Sequence, residues 1–164
     1  MTFIEQIQSK IIDIPDFPKP GIIFKDIQPL LNDNDLFPHA IYSMSKLTRQ
    51  PNYYVGIESR GFMFATALAM HMKCGIKLIR KKGKLPPPTI SKSYQLEYGE
   101  DTIEIQPGEG NVVIVDDVYA TGGTMNAAIE LCQNAGYNVI GKLVLIDLKF
   151  LHEPTDVKSL IQYE

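Results

Sequence analysis

Two adjacent carboxylates stand where an apolar strand would end, within residues 112–124, which read VVIVDDVYATGGT. The four β-branched residues before them favour a buried strand, and core packing gives no reason to follow such a strand with Asp116 and Asp117. Ionised carboxylates only accept hydrogen bonds, so an adjacent pair suits the vicinal hydroxyls of a sugar. The pair therefore predicts a sugar-binding site at the end of a strand.

The loop after the acidic pair has the composition of a phosphate site. Gly122 and Gly123 allow a tight turn into a helix, whose first backbone amides have no partner inside the helix. Such amides bind anions, and Thr121 and Thr124 can donate hydroxyl hydrogen bonds to phosphate oxygens. With the diol acceptors beside it, the loop predicts a site for a ribose 5-phosphate. A plainer interpretation, in which the carboxylates cap a helix and the loop is only a turn, stays open at this point.

Other phosphate and nucleophile motifs do not fit this sequence. It contains no G-x-G-x-x-G after a strand and no G-x-x-x-x-G-K-[ST]. In GIESRG, residues 56–61, Ser59 stands one residue too far from the first glycine for the nucleophile turn of serine hydrolases. A dinucleotide site, a P-loop and serine hydrolysis are therefore disfavoured.

Alternating strands and helices must position these groups. Apolar periodicity predicts helices that are closed by Gly75 and Gly136, with short apolar runs as strands between them. The predicted helices are residues 2–12, 33–49, Phe62–Met72 and Ala127–Ala135, and the predicted strands are Tyr53–Ile57, Ile76–Ile79, Val112–Val115 and Val139–Ile146. This order indicates an α/β fold with a Rossmann-like, mostly parallel sheet flanked by helices, and a ligand at the carboxyl ends of the strands.

Two segments depart from the alternation. Residues 13–31 contain four prolines, which exclude a helix through most of the segment. Residues 81–111 have no helical period, but polar and apolar residues alternate over 93–98 and again over 102–106. This pattern predicts a hairpin that projects from the core and turns at residues 99–101.

Composition limits the partners of the chain. Its 164 residues are enough for one domain, and 16 basic against 19 acidic residues give a net charge of -3, which argues against broad binding to nucleic acid. No stretch is apolar enough to span a membrane, and the amino terminus does not resemble a secretory signal, so we expect a cytoplasmic protein. Cys74 and Cys132 are expected to be buried free thiols.

Residues 112–124 resemble the motif with which type I phosphoribosyltransferases bind phosphoribosyl diphosphate (PRPP): an apolar strand, an acidic pair and a small-residue loop with two glycines. Three more stretches are similar, in content and order, to the adenine-specific members of that family: FPKPGIIFKDIQPLL, GIESRGFMFA and RKKGKLPPPTISKSYQLEYG. With the final LIQYE, the resemblance covers nearly the whole chain. It implies one domain over residues 1–164, with an N-terminal hood and base-binding segment at 1–32 and a flexible catalytic loop at 81–110.

The resemblance also implies a reaction. The 5-phosphoribosyl group of PRPP would be transferred to N9 of adenine, giving AMP and pyrophosphate in purine salvage. Mg²⁺ would take part while held through PRPP and water, with no direct protein ligand. A homodimer is implied in the same way.

By the same resemblance, three groups of residues bind PRPP. The 5-phosphate is assigned to Ala120, Thr121, Gly122, Gly123 and Thr124, the ribose hydroxyls to Asp116 and Asp117, and the pyrophosphate to Glu58, Ser59, Arg60, Arg80 and Lys84. Positioned cations suit the charge that develops on a departing pyrophosphate. Taken alone, however, the basic residues of 80–84 are more typical of a solvated surface.

The family resemblance assigns the base to Ile23, Phe24, Lys25 and Val118. Phe24 would stack on the purine, while the backbone around Ile23 and Lys25 reads its polar edge. Packing of Phe24 in the core stays open as an alternative. Some members of the family have Arg where this chain has Lys25, and many have Leu where it has Val118, so an arginine role would be lost and the pocket changed by one methylene.

Glu97 matches the carboxylate that the family is proposed to use for proton exchange with the base, and Arg60 and Tyr98 are assigned to catalysis with it. A mobile loop that carries Glu97 would also exclude water from the reacting sugar. A role for Glu97 as an ordinary exposed strand residue stays open.

Two other functions remain compatible with the sequence. One is a phosphoribosyltransferase for another base, such as hypoxanthine, guanine or orotate. The other is a regulator that binds PRPP without catalysis, although such relatives usually carry a DNA-binding domain, for which 164 residues leave no room.

Overall fold

The computed structural model describes residues 1–96 and 98–164, and by internal contacts it divides into two units, residues 1–43 and 44–164. The helices are α1 (Phe3–Ser9), α2 (Gln28–Leu31), α3 (Leu36–Ser45), α4 (Arg60–Met72) and α5 (Gly123–Asn134), with a 3-10 helix at Lys149–Leu151. The strands are β1 (Ile12–Pro15), β2 (Ile23–Asp26), β3 (Tyr53–Ile57), β4 (Gly75–Lys81), β5 (Ile90–Leu96), β6 (Gly99–Ile105), β7 (Gly110–Tyr119), β8 (Tyr137–Leu148) and β9 (Lys158–Tyr163). Among the described residues, no helix has the length and apolar character needed to cross a membrane.

The first unit holds a two-stranded antiparallel sheet between short helices. Thr2 and Glu5 form a capping box that begins α1, which is why the helix starts where its periodicity does. The proline-rich segment forms β1 and β2, paired with Ile14 opposite Phe24. It ends in the single turn of α2, which Pro29 tolerates because it lies in the first turn.

The second unit is built on a seven-stranded sheet with the order β5-β6-β4-β3-β7-β8-β9. The pairs β4-β3, β3-β7, β7-β8 and β8-β9 are parallel, and only the pairs made by β6 are antiparallel. Helix α4 connects β3 to β4 and α5 connects β7 to β8, so the predicted mostly parallel α/β fold is confirmed. The core includes Ile114, Leu131 and Val144, all fully buried.

Strand β7 is longer than the sequence predicts. It continues beyond Val115 to Tyr119 because β8, with 12 residues, is long enough to pair with it there, with Asp116 opposite Val144 and Val118 opposite Ile146. The acidic pair therefore lies within the paired part of β7, near its carboxyl end, and not after the strand. This pairing fixes the direction in which both carboxylates point.

The prediction that Gly75 closes the helix before it is wrong. The left-handed residue after α4 is Lys73, with φ 57°, and Gly75 already belongs to β4. A Cβ at Gly75 would lie 2.9 Å from Cδ1 of Tyr53, so glycine is needed there for strand packing.

The hairpin of β5 and β6 is more integrated than a projecting loop. Ile103 and Ile105 of β6 are buried in the core. The pairing of β5 with β6 already begins at residue 99, where Gly99 lies opposite Leu96. The predicted turn at residues 99–101 is therefore wrong, since these residues belong to the strand. Strand β9 was not predicted, because its six residues carry too little apolar periodicity to distinguish a strand from a tail.

Candidate active site

Two glycines bring the turn after β3 against β7. A Cβ at Gly61 would lie 2.7 Å from the carbonyl oxygen of Val115, and one at Gly56 would lie 3.0 Å from Cβ of Ala65. Only glycine allows the first turn of α4 to approach the neighbouring strand this closely. Ser59, the residue before α4, is thereby held beside the acidic pair.

The two carboxylates of the acidic pair are linked through the backbone and to Arg60. The amide of Asp117 donates to Oδ1 of Asp116 at 2.8 Å, and Nε of Arg60 lies 2.6 Å from Oδ2 of Asp117 as an ion pair. Oδ2 is buried and accepts no aligned hydrogen bond from the described residues. Burial raises the pKa of Asp116 well above its usual value, and the charge of Asp117 raises it further. Both carboxylates line the same cavity, so they offer acceptors to a donor that enters it.

The loop after β7 requires glycine at one position. Gly122 has φ 94°, and a Cβ there would lie 2.5 Å from the hydroxyl oxygen of Tyr119. Within the part of the chain that the structure describes, no side chain caps α5, which begins at Gly123, and the amide of Asn126 donates to the carbonyl of Gly122. A cavity of about 100 Å³ is lined by residues 118–125 together with Asp116. The predicted phosphate loop is thus a concave surface at an uncapped helix start.

Glu58 accepts hydrogen bonds from the basic segment at the end of β4. Its Oε1 accepts from Nε of Arg80 at 3.0 Å and from the amide of Lys81 at 3.1 Å, and its Oε2 accepts from Nζ of Lys84 at 2.9 Å. Burial alone would raise the pKa of Glu58, but these donors, led by Lys84, outweigh it and lower the pKa to about 2. Glu58 is therefore an anion at neutral pH, and its oxygens are occupied by cations of the same site.

These groups meet around one cavity of about 230 Å³. Six of the predicted PRPP residues line it, and the others in the lining are apolar or come from the hairpin and the end of β4. The full lining is Ile57, Glu58, Ser59, Arg60, Lys81, Tyr94, Ile103, Asp116, Asp117 and Thr124. Strands β3, β4 and β7 end here, as expected for a parallel sheet.

Tyr94 of β5 was not among the predicted residues. The hydroxyl of Thr124 donates to the hydroxyl of Tyr94 at 3.4 Å, and Lys81 forms an ion pair with Asp101 of the same hairpin. The alternation of residues 93–98 marked Tyr94 as one face of a strand, but only the pairing of β6 with β4 shows which face meets the site.

A second group behind the phosphate loop was also missed. Nε2 of His152 lies 2.5 Å from Oδ1 of the buried Asp147, and the ring of Tyr119 packs edge-on against His152 at 4.6 Å between centroids. The carbonyl of Glu153 and the carboxylate of Asp147 raise the pKa of His152. These residues support Tyr119, whose hydroxyl lies under Gly122. No motif marks them, since the contact between Tyr119 and His152 joins segments that are distant in sequence.

The predicted base residues lie in two places. Phe24 is half-buried on β2, with its ring edge-on to Phe17 at 5.2 Å, and Nζ of Lys25 lies 2.6 Å from Oδ1 of Asp13. The side chain of Ile23 is exposed. In the second unit, Val118 lines the cavity of the phosphate loop.

The catalytic residues predicted on the hairpin are only partly described. Glu97 lies outside the described residues. Tyr98, directly after it, is 81% exposed between the paired ends of β5 and β6.

Comparisons with known proteins point to one family. A family model described as a phosphoribosyl transferase domain matches residues 39–158. The chain is 52% identical to an adenine phosphoribosyltransferase of Bdellovibrio bacteriovorus, over 96% of this chain and 99% of that protein. It is similar to the crystal structure of the enzyme of that name from Thermoanaerobacter pseudethanolicus, with a TM-score of 0.90 and 41% identity over 98% of this chain and 99% of the other. The Saccharomyces cerevisiae enzyme, solved with adenine and an imino-altritol bisphosphate, gives a TM-score of 0.87 and 34% identity over 96% and 98% of the two chains.

Proposed function

The chain belongs to the phosphoribosyltransferase family, and we propose that it transfers the 5-phosphoribosyl group of PRPP to N9 of adenine, forming AMP and pyrophosphate. The observation that carries this proposal is one cavity that is lined by the acidic pair, by Thr124 at the start of α5 and by the cations Arg60 and Lys81. A sugar diol, its 5-phosphate and its pyrophosphate need these three kinds of partner. The relatives named above indicate that the acceptor base is adenine, since all are adenine phosphoribosyltransferases.

For the sugar, the acidic pair provides acceptors. Asp116 and Asp117 both line the cavity, and a carboxylate oxygen can accept more than one hydrogen bond, which favours an incoming diol. Hydrogen bonds from hydroxyls stabilise the ionised form of a carboxyl group, so binding of the diol would lower the raised pKa of Asp116. Each such bond to a charged acceptor contributes about 1.5 to 3 kcal/mol. We assign the ribose 2- and 3-hydroxyls to Asp116 and Asp117.

For the 5-phosphate, residues 120–124 supply backbone amides at the start of α5 and the hydroxyls of Thr121 and Thr124. The dipole of the helix contributes only about 0.3 to 2 kcal/mol, so direct hydrogen bonds must provide most of the affinity. The close approach of Gly122 to Tyr119, which a side chain at residue 122 would prevent, gives the loop its concave form before the phosphate arrives.

For the pyrophosphate, Ser59, Arg60, Arg80 and Lys84 supply the donors. We assign Glu58 a different task from the one that the resemblance implies. An ionised carboxylate repels a phosphate anion, and both oxygens of Glu58 already accept from Arg80, Lys84 and the amide of Lys81. Glu58 therefore orients the cations that bind pyrophosphate and does not bind it directly.

We also propose that Mg²⁺ enters with PRPP, held through the phosphates and water. The carboxylates of Asp116 and Asp117 line the cavity, where they would accept hydrogen bonds from water of the hydrated ion without binding it directly. When bound, the ion would neutralise part of the charge on the departing pyrophosphate.

For the base, we propose that Phe24 stacks on adenine while the backbone around Ile23 and Lys25 reads its edge, with Val118 in contact. The side chain of Lys25 is held by Asp13, which favours a backbone role. Glu97 would exchange the proton of the base, with Tyr98 and Arg60 in support. These roles, the homodimer and the cytoplasmic location rest on the sequence.

A panel of bases tests this proposal. Purified protein is incubated with PRPP, Mg²⁺ and adenine, hypoxanthine, guanine or orotate, and the nucleotides are separated by chromatography. We expect AMP from adenine at a far higher rate than any other nucleotide. Product from another base alone would transfer the assignment to that base, and no product from any base would contradict catalysis.

A further inference from the structure

Glu104 is a buried carboxylate that the proposed reaction does not use. It lies on β6, is 7% exposed, and stands opposite Arg80 of β4 and Ser91 of β5. A buried charge is costly unless hydrogen bonds compensate it. Its neighbours therefore indicate why the chain keeps it.

Two of the donors to Glu104, Gly83 and Thr89, come from the segment between β4 and β5, and the third, Ser91, comes from the start of β5. The amide of Gly83 donates to Oε1 at 2.6 Å, and the hydroxyls of Thr89 and Ser91 donate to Oε2 at 3.0 Å each. These bonds lower the pKa of Glu104, the amide of Gly83 most of all, so the group is an anion at neutral pH. One side chain thus binds both ends of residues 83–89.

The segment held in this way carries Lys84. Its remaining residues include Pro86, Pro87 and Pro88, which restrict the backbone between the two anchors. From there Nζ of Lys84 reaches Oε2 of Glu58 at the edge of the cavity. Gly83 has φ 85°, a conformation that favours glycine, so the chain can turn at the residue whose amide is anchored. Lys84 is the next residue in the sequence.

We propose that Glu104 is a positioning residue for PRPP, which fixes residues 83–89 so that Lys84 is presented to the pyrophosphate. This inference rests on the proposed function, because it gives Lys84 its ligand. Glu104 acts through Lys84 and touches no substrate itself.

The test compares Glu104→Ala with Glu104→Gln in steady-state kinetics. Without the anchor, Lys84 samples other positions, and KM for PRPP should rise about tenfold, or about 1.4 kcal/mol, while KM for adenine and kcat change little. Glutamine keeps an acceptor for the amide of Gly83, and the two hydroxyls can accept from its NH₂ group, so it should restore most of the affinity. Glu100→Ala is the matched control, since Glu100 is an exposed carboxylate on the same strand that contacts Gln95 and not residues 83–89.

An unchanged KM for PRPP in Glu104→Ala, with an active wild type, would overturn the inference, as would equal losses in both variants. Wild type that makes no nucleotide would refute the proposed function instead. In that case, two other measurements test the inference: hydrogen exchange of the Gly83 amide and calorimetric titration with magnesium pyrophosphate. Glu104→Ala should lose protection of this amide and affinity for magnesium pyrophosphate. If Glu104→Ala does not fold, Thr89→Ala combined with Ser91→Ala removes two donors, and an unchanged KM for PRPP would again overturn the inference.

Discussion

The acidic pair differs from an ordinary helix cap in its electrostatics. A cap oxygen accepts from helix amides, whereas Asp116 accepts from the amide of its neighbour Asp117 and has a raised pKa because of burial and the adjacent charge. The ionised form of such a carboxylate is disfavoured in the folded protein. Carboxyl groups with a perturbed pKa in a cavity are typical of binding sites. The pair is therefore the residue-scale feature on which the sugar assignment depends.

Replacing both carboxylates tests that assignment. Asp116→Asn with Asp117→Asn should raise KM for PRPP more than about tenfold, since each 1.4 kcal/mol of lost binding is one such factor. Initial rates over a PRPP series measure it. Glu109→Gln, an exposed carboxylate before β7, removes one charge of the same sign and should leave the curve unchanged. A double variant with the wild-type curve would show that the diol binds elsewhere.

Glu58 predicts a specific acid sensitivity. Its pKa falls from 4.5 to about 2 on folding, so its contribution to stability is present above pH 4.5 and is lost as the pH falls toward 2. Glu58→Gln cannot ionise and should lose this component. The difference in unfolding free energy between wild type and Glu58→Gln, measured by urea titration, should therefore shrink from pH 6 toward pH 2, the ionised and neutral limits of the group. A difference that is constant with pH would mean that the cations do not hold this carboxylate.

At the scale of elements, the approach of α4 to β7 determines the shape of the site. Gly61→Ala places a Cβ 2.7 Å from the carbonyl oxygen of Val115, so the start of the helix must move away from the strand. We expect a lower melting temperature and a higher KM for PRPP, because Ser59 and Arg60 move with the helix. Thermal unfolding and initial rates measure these two effects. Met70→Ala, on the exposed side of the same helix, should change neither, and an unaltered Gly61→Ala variant would show that the helix start tolerates displacement.

The hairpin carries the second element-scale prediction. If Glu97 exchanges a proton with the base, Glu97→Ala should lower kcat more than it weakens PRPP binding, because proton transfer is needed only in the transition state. Rapid-mix turnover and PRPP titration separate these effects. Glu100→Ala, which replaces an exposed carboxylate three residues further along the chain, serves as the control. Intact turnover in Glu97→Ala would make that residue a bystander and would assign the proton to water.

The fold and the site were predictable to different degrees from sequence. β3 begins and ends where its apolar run does, because a central parallel strand is buried on both faces. β9, on the edge of the sheet, has a weaker pattern and was missed. Within the site, the motif around Asp116 was readable because adjacent residues perform its chemistry. Glu104, Tyr94 and His152 were not, because they act through contacts with segments that are remote in sequence.

At the scale of the whole molecule, a net charge of -3 coexists with a local cation cluster. Arg80, Lys81 and Lys84 are each paired with a carboxylate, Glu58 or Asp101, so the two carboxylates offset most of the charge of the three cations until an anion with more charge arrives. Such an arrangement favours a polyanion of small size over a long phosphate backbone. It is consistent with PRPP as the donor and with the expectation that nucleic acid is not a partner.

The central claim, transfer of phosphoribosyl from PRPP to adenine, is tested most directly by the release of pyrophosphate. A continuous pyrophosphate assay is run with PRPP and Mg²⁺, first without and then with adenine, and AMP is quantified in the same samples. We predict negligible release until adenine is added, followed by equal amounts of pyrophosphate and AMP. Release at the same rate without adenine, or none with it, would contradict the transfer reaction.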